Sequence, residues 1–401
     1  MSAASSNAIK SSRAKTSRRA ALAKARDFLS RHLLIDGHND LPWVIRGDRE
    51  ARGDVARFRL ETSRNRGDTD IPKLRKGQVG AQVLAAFLPT EIPHPATVTL
   101  EQIDVIRRIE ELHSDVFHPV RKTSDLATAR RLGKIGSIMS VEGGVGLENS
   151  LKPLRAWHTL GMRVMTLCHN GALDWIDSAT DKPRHDGLTD FGREVIAELN
   201  RLGVLIDCSH ASPKSTHDVL DASTAPIALT HSNAFALCDH PRNAPDDILK
   251  RLPANGGIVM ATFVPAFIRQ KTRDSLKRFQ DSYGKAPDTP NKDDLNAAKR
   301  ESISEWESDG PALLANHIEY MADIVGPDHI GIGSDFFGGT NPPGLEDAST
   351  FPHLFAELIS RGWGDAALAK IAGRNFLRVL KTVEKRAVEL AKPAVKARKA
   401  A

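Results

Sequence analysis

The chain has 401 residues, 40% of them apolar and 26% charged, enough for one large core, and this balance excludes a wholly disordered polypeptide. No run approaches the roughly 18 apolar residues that a membrane-spanning helix needs, and the N-terminus lacks the apolar stretch of a secretory signal, so no membrane anchor is expected. The net charge of +6 sits at the ends: residues 1–26 hold seven Lys and Arg with no acid, and 381–401 hold seven against two acids. The body between them is mildly acidic, which argues against nucleic acid as a partner.

In chain order, the pattern predicts a basic, flexible tail over 1–26, a folded unit over 27–380 and a second basic tail over 381–401. Within the unit, eight short apolar runs recur: Leu33 to Ile35, Val79 to Leu88, Ile135 to Val141, Arg163 to Leu167, Val204 to Ile206, Ile227 to Leu229, Gly257 to Phe263 and Ile330 to Gly333. Helical patterns fall between them near 101–114, 153–160, 187–202, 213–221, 246–251 and 312–325. This alternation points to a parallel sheet. Eight such strands predict an α/β fold, a (β/α)8 barrel of the TIM type with inserted loops. Two segments break the rhythm. Residues 46–76 are charged and Gly-rich, and are expected to form a long loop. Residues 268–311, around Tyr283-Gly284-Lys285-Ala286-Pro287, are polar and form an insertion on the active-site face: a lid, an oligomer contact or plain surface.

The ends of the predicted strands carry the chemistry. They run into Asp36-Gly37-His38-Asn39-Asp40, Glu142-Gly143-Gly144, His169, Ser209-His210, His231-Ser232 and Ser334-Asp335. In a barrel, side chains from separate strands converge at this C-terminal face. A spacing of two puts His38 and Asp40 on the same side of extended backbone, and imidazole with carboxylate suits a divalent metal such as zinc. Taken singly, each residue has an ordinary explanation: Asp40 could cap a helix, Glu142 could be a solvated loop acid, and His210 and His231 could be hydrogen-bonded core histidines. Together, three histidines and two carboxylates at four strand ends can hold two metals if one carboxylate bridges them. His185, His217, His240, His317, His329 and His353 have no partner at ligand spacing, and surface or core roles are expected for them. The three cysteines form no CxxC pair and their odd number closes no disulfide framework, so a reducing, cytoplasmic setting is expected.

The segment Leu34-Ile35-Asp36-Gly37-His38-Asn39-Asp40-Leu41-Pro42-Trp43 resembles the opening motif of the membrane (renal) dipeptidase family, zinc metallopeptidases of the amidohydrolase-like group. Val141-Glu142-Gly143-Gly144, Leu167-Cys168-His169-Asn170, Ile206-Asp207-Cys208-Ser209-His210, Thr230-His231-Ser232-Asn233-Ala234, His240-Pro241-Arg242-Asn243 and Gly331-Ile332-Gly333-Ser334-Asp335-Phe336 are similar to later family motifs, in order, over about residues 33–380. The resemblance implies a (β/α)8 barrel that hydrolyses dipeptides, often with a D residue on the C-terminal side. It implies two zinc ions per chain, one held by His38 and Asp40, the other by His210 and His231, with Glu142 bridging. It further implies that His169 stabilises charge on the scissile carbonyl oxygen, that Arg242 holds the substrate carboxylate and that Asp335 transfers the proton. Two other readings compete: a deaminase or lactonase on the same barrel, and a metal-bearing scaffold whose basic tails bind nucleic acid. The lack of an HxH pair on the first strand and the presence of Arg242 favour a peptide with a free carboxylate. Whether the chain forms a homo-oligomer is left open.

Overall fold

The computed structural model describes residues 3–63, 67–283, 306 and 309–399. Among the described residues there are nine parallel strands: β1 Leu34–Asp36, β2 Val79–Phe87, β3 Phe117–Pro119, β4 Ile135–Glu142, β5 Met162–Thr166, β6 Leu205–Asp207, β7 Ile227–Leu229, β8 Ile258–Ala261 and β9 Ile330–Ile332. Their order is β2-β1-β9-β8-β7-β6-β5-β4, and a seven-residue pairing of β2 with β4, from Ala81 opposite Gly136 to Phe87 opposite Glu142, closes the barrel. Eight strands therefore form the (β/α)8 barrel. β3 lies outside the ring, pairing with Ile135 to Ser137 at the start of β4, before β5 takes over from Met139 onward.

Strands buried on both faces explain the continuous apolar runs, as in β4, where every residue is buried. One face contributes Ile35, Ala81, Val83, Ile138, Val164, Leu205, Ala228 and Ile258 to a cluster that Phe376, Val379, Leu380 and Val383 of the C-terminal helix complete. The other face packs against the surrounding helices. Local signals set the helix ends. Thr189 accepts a hydrogen bond from Gly192 N at the start of the helix Asp190–Leu202, and Gly203 ends it in the left-handed region at φ 72°.

The segment 46–76 is more ordered than a long loop. It carries the end of the helix Leu41–Gly47, then Val55–Phe58 and Ile71–Lys76, because Asp54 and Asp70 each accept backbone N–H groups at a helix start. The terminal segments are helical too. Residues Ala3–Arg31 form one helix with Ala21 and Ala25 buried, and it packs on Phe351–Ser360, where the Phe28 and Phe355 rings stand 5.7 Å apart. The helix Asn375–Lys399 runs through position 381 without a break; Val383 is buried, and Glu384 Oε1 accepts from Thr123 N at 2.6 Å. Of the segment 268–311, the helix Gln270–Tyr283 is described, as is Trp306, whose buried indole N–H donates to Thr272 Oγ1 at 3.1 Å. The Gly284-Lys285-Ala286-Pro287 stretch lies outside the described residues.

Candidate active site

The strand ends bring seven of the eight singled-out side chains to one end of the barrel, and the loop after β7 adds Arg242. β1 leads into His38 and Asp40. Asp40 stands at the start of the helix Leu41–Gly47 but makes no capping hydrogen bond; the neighbouring Asn39 accepts from Leu41 N at 3.0 Å instead. Asp40 Oδ1 is thereby free to lie 3.5 Å from His38 Nε2. β4 ends in Glu142, and the chain turns away at once through Gly143, whose φ of 105° suits glycine and whose place a Cβ would take only 2.8 Å from Leu88 O.

Glu142 is the hub. Its Oε2 lies 3.0 Å from His38 Nε2, and its Oε1 lies 3.0 Å from His210 Nε2 and 3.5 Å from His231 Nε2. The His38 and His231 rings are 4.0 Å apart, and the His169 and His210 rings 4.4 Å. Among the described residues, three groups have ligand atoms close enough to share an ion: His38, Glu142 and His231; Glu142, His169 and His210; His38, Asp40 and Asp335. Glu142 belongs to two of them.

Burial makes this arrangement costly without a cation. His38 Nε2, His231 Nε2, Asp40 Oδ1 and Arg242 Nη1 are buried without a hydrogen-bond partner, whereas buried polar atoms are nearly always paired. The orphaned imidazole nitrogens and carboxylate oxygen fit a divalent metal, while Arg242 Nη1, a cationic donor, fits an anion. Burial pushes Glu142 up, against the pull of His38. It also drives His210 and His231 well below the usual imidazole range, helped by Arg242 and by the other histidines, so both present neutral nitrogen. For His38 burial acts downward too, but the carboxylates of Glu142 and Asp40 outweigh it and raise the group.

His169 and Asp335 are tuned in opposite senses. Burial, with Arg242 and His38 adding repulsion, brings His169 down to about 3, leaving a neutral ring. Burial, with Asp40 and Glu142 adding to it, pushes Asp335 up to about 8 against the pull of His38 and Arg242. Asp335 sits in the left-handed region at φ 62°. Asp36 braces this turn: its Oδ1 accepts from Ser334 N at 2.6 Å and its Oδ2 from Ser334 Oγ at 2.6 Å and Gln82 Nε2 at 2.9 Å.

Asp40, Glu142, His169, His210, Arg242 and Asp335 open into one cavity of about 800 Å³. Arg242 is almost wholly buried; its Nη2 donates to His231 O at 3.4 Å, and its guanidinium lies over the Phe267 ring at 5.6 Å. Thr180, Asp181, Arg273, Leu276 and Lys277 contribute to the outer wall, so the helix Gln270–Tyr283 belongs to the active-site face. Two features escape sequence reasoning. His240 lines the cavity, 4.3 Å from Phe267 ring to ring, although its spacing marks no ligand. Asp207 is fully buried beneath the site and accepts five hydrogen bonds from Thr166, Ser209 and Thr230; a buried acid closing an apolar strand was its one available signal.

A sequence profile of the membrane dipeptidase family, peptidase family M19, matches residues 22–394. The probable dipeptidase PvdM from Pseudomonas aeruginosa is similar in structure, with a TM-score of 0.80 and 27% identity over 92% of this chain and 99% of that one. A metallo peptidase from Rhodobacter sphaeroides, liganded with a phosphinate mimic of the dipeptide L-Ala-D-Ala, has a TM-score of 0.73 and 23% identity over 88% of this chain and 99% of its own. An amidohydrolase from Pseudomonas aeruginosa shares the fold at a TM-score of 0.68 and 24% identity, over 90% and 98% of the two chains.

Proposed function

The chain belongs to the membrane dipeptidase family of hydrolases, and on that premise we propose that it cleaves dipeptides with a free C-terminal carboxylate, using two zinc ions bridged by Glu142. The observation that carries this reading is the meeting of His38, His210 and His231 on one buried carboxylate, in the same cavity as the unpaired Nη1 of Arg242. His38 and Asp40 would hold one ion, and His210 and His231 the other. When bound, such ions supply a nucleophilic water at neutral pH and polarise a carbonyl.

The protein's own groups account for the rest. Arg242 grips the substrate carboxylate through parallel N–H donors, which fixes the peptide without dictating the handedness of its last Cα. The substrate range therefore includes D residues at the C-terminal side, in keeping with the L-Ala-D-Ala mimic held by the Rhodobacter relative. Neutral His169 donates an N–H to the carbonyl oxygen as negative charge develops there. Asp335, which bound cations would hold ionised despite its burial, takes the proton lost by the attacking water and delivers it to the departing amine, so that a C–O bond replaces the C–N bond and two amino acids leave.

The unit carrying this activity is residues 27–380. Three buried free thiols, Cys168, Cys208 and Cys238, support a cytoplasmic setting. Among the described residues, no helix is long and apolar enough to cross a membrane. The test is a panel of dipeptides with L and D C-terminal residues, incubated with the zinc-loaded protein and with a chelated control. Hydrolysis in the loaded sample alone is expected; a loaded protein that opens no dipeptide overturns the reading.

A further inference from the structure

Beneath the histidines lies a second, fully protein-held arrangement. Asp207 ends β6 and is completely buried. Its Oδ1 accepts from Ser209 N at 3.1 Å, Ser209 Oγ at 2.6 Å and Thr230 N at 2.8 Å. Its Oδ2 accepts from Thr166 Oγ1 and Thr230 Oγ1, both at 2.6 Å. These donors come from three neighbouring strand ends, those of β5, β6 and β7.

The hydrogen count at Thr230 decides what His231 must do. A hydroxyl oxygen 2.6 Å from a carboxylate oxygen needs a hydrogen between them, and Thr230 has one to give. Ser209 Oγ stands 3.3 Å from Thr230 Oγ1, but its own hydrogen is committed to Asp207 Oδ1 at 2.6 Å. Thr230 Oγ1 is therefore an acceptor toward His231 Nδ1, which lies 2.9 Å away. Nδ1 then carries the proton. Nε2 keeps its lone pair, buried and without a hydrogen-bond partner, and faces Glu142 Oε1 at 3.5 Å. Ser209 Oγ also accepts from His231 N at 3.1 Å, so the same acid steadies the histidine's backbone.

We propose that Asp207 is a positioning residue: acting through the Thr230 hydroxyl, it fixes the tautomer and direction of His231 so that Nε2 is ready for a metal before any metal arrives. The relay inserts a hydroxyl into the carboxylate–imidazole contact that commonly orients a ligating histidine. Its link to zinc rests on the reading of His231 as a ligand. The tautomer itself does not.

The experiment uses the full-length protein with 15N-labelled histidine, stripped with a chelator, in four forms: wild type, Thr230→Ser, Thr230→Val and His231→Asn, the last to assign the His231 resonances. Wild type and Thr230→Ser are expected to show the Nδ1–H tautomer at His231. Thr230→Val, which keeps the shape and loses the hydroxyl, is expected to show a mixture or the Nε2–H form. Zinc affinity by chelator competition should fall about 10- to 100-fold in Thr230→Val and recover in Thr230→Ser, the usual effect of removing an outer partner of a ligating histidine. An unchanged tautomer and a zinc affinity within about twofold of wild type in Thr230→Val would overturn the relay. So would an Nε2–H signal in the wild type. If the expected tautomer and affinity pattern appears but no dipeptide is cleaved, the relay stands and the dipeptidase reading falls.

Discussion

The backbone N–H of Asp335 donates to the carbonyl of His38 at 3.2 Å, tying the turn after β9 to the turn after β1. This link sets the Asp335 carboxyl within reach of His38 and Asp40 while its own backbone stays at φ 62°. A Cβ at position 338 would come within 2.2 Å of Asp335 Oδ1, so glycine there leaves room for the carboxyl. Changing Asp335 to Asn keeps the shape and removes the basicity. Turnover is expected to drop by roughly 10²- to 10⁴-fold with both metals retained, because that is the usual worth of a positioned proton carrier. Steady-state kinetics with metal analysis on the same samples check this; loss of zinc from the Asn variant would make Asp335 a ligand instead.

Arg242→Lys is expected to raise KM for free dipeptides by roughly 10- to 100-fold, the range of a lost charge-assisted hydrogen bond, since a point charge cannot reproduce the guanidinium fork. Dipeptide amides offer no carboxylate to grip. Equal cleavage of amides and free dipeptides by the wild type would remove Arg242 from carboxylate binding.

On the proposed reading, the metal content rests on one shared carboxylate, Glu142. Purified protein should hold two zinc equivalents and lose activity on chelation, while Glu142→Gln should lower occupancy at both positions together. Elemental analysis decides between this outcome and independent sites, for which one ion would survive the substitution.

Glu198 offers a stability test away from the site. Its carboxylate accepts from Arg201 Nε and Nη2, both at 2.7 Å, and from Arg155 Nε at 2.6 Å, and the Arg201 contact above all lowers its pKa to about 2 against the opposing effect of burial. A depressed folded-state pKa stabilises above the ordinary carboxylate range and loses that contribution as pH falls toward 2. Glu198→Gln should therefore cost roughly 1–2 kcal/mol at neutral pH, after allowance for solvent at the half-exposed guanidinium groups. Denaturant melts at a series of pH values should show the gap to wild type constant above about pH 5 and closing in acid.

Removing residues 1–26 takes away the buried Ala21 and Ala25 but none of the residues that line the cavity. The truncated protein should melt at a lower temperature while its kcat and KM stay within about twofold of the full chain. A fully stable truncation with crippled kinetics would place this helix at the site or at a subunit contact.

How much was legible beforehand depends on the range of the interaction. The eight barrel strands announce themselves as local apolar runs, and polar residues just past their ends can be read as converging once a barrel is assumed. β3 gives no such sign: Phe117-His118-Pro119 is three residues long, only partly buried, and exists because the start of β4 has a free edge. The segment 46–76 hides its helices because their starts depend on single aspartates rather than on periodicity. Asp207 and Thr230 are 23 residues apart, and what joins them is the adjacency of β6 and β7, which a single sequence does not state. His240 reaches the cavity by the folding of its loop against Phe267, again a relation between distant segments.

The cavity divides its labour between two kinds of structure. Its floor of histidines and acids stands on strand ends tied together by Asp36 and Asp207, while much of its outer wall comes from the loop around Thr180 and Asp181 and from the helix Gln270–Tyr283. Thr180 Oγ1 donates to Asn170 O and Ser178 Oγ to His169 O, both at 2.8 Å, so that loop is tied to the floor; the helix Gln270–Tyr283 is the natural site for redirecting selectivity by laboratory evolution. A library confined to Leu276 and Lys277 would sample new substrate side chains while leaving the hydrolytic apparatus intact.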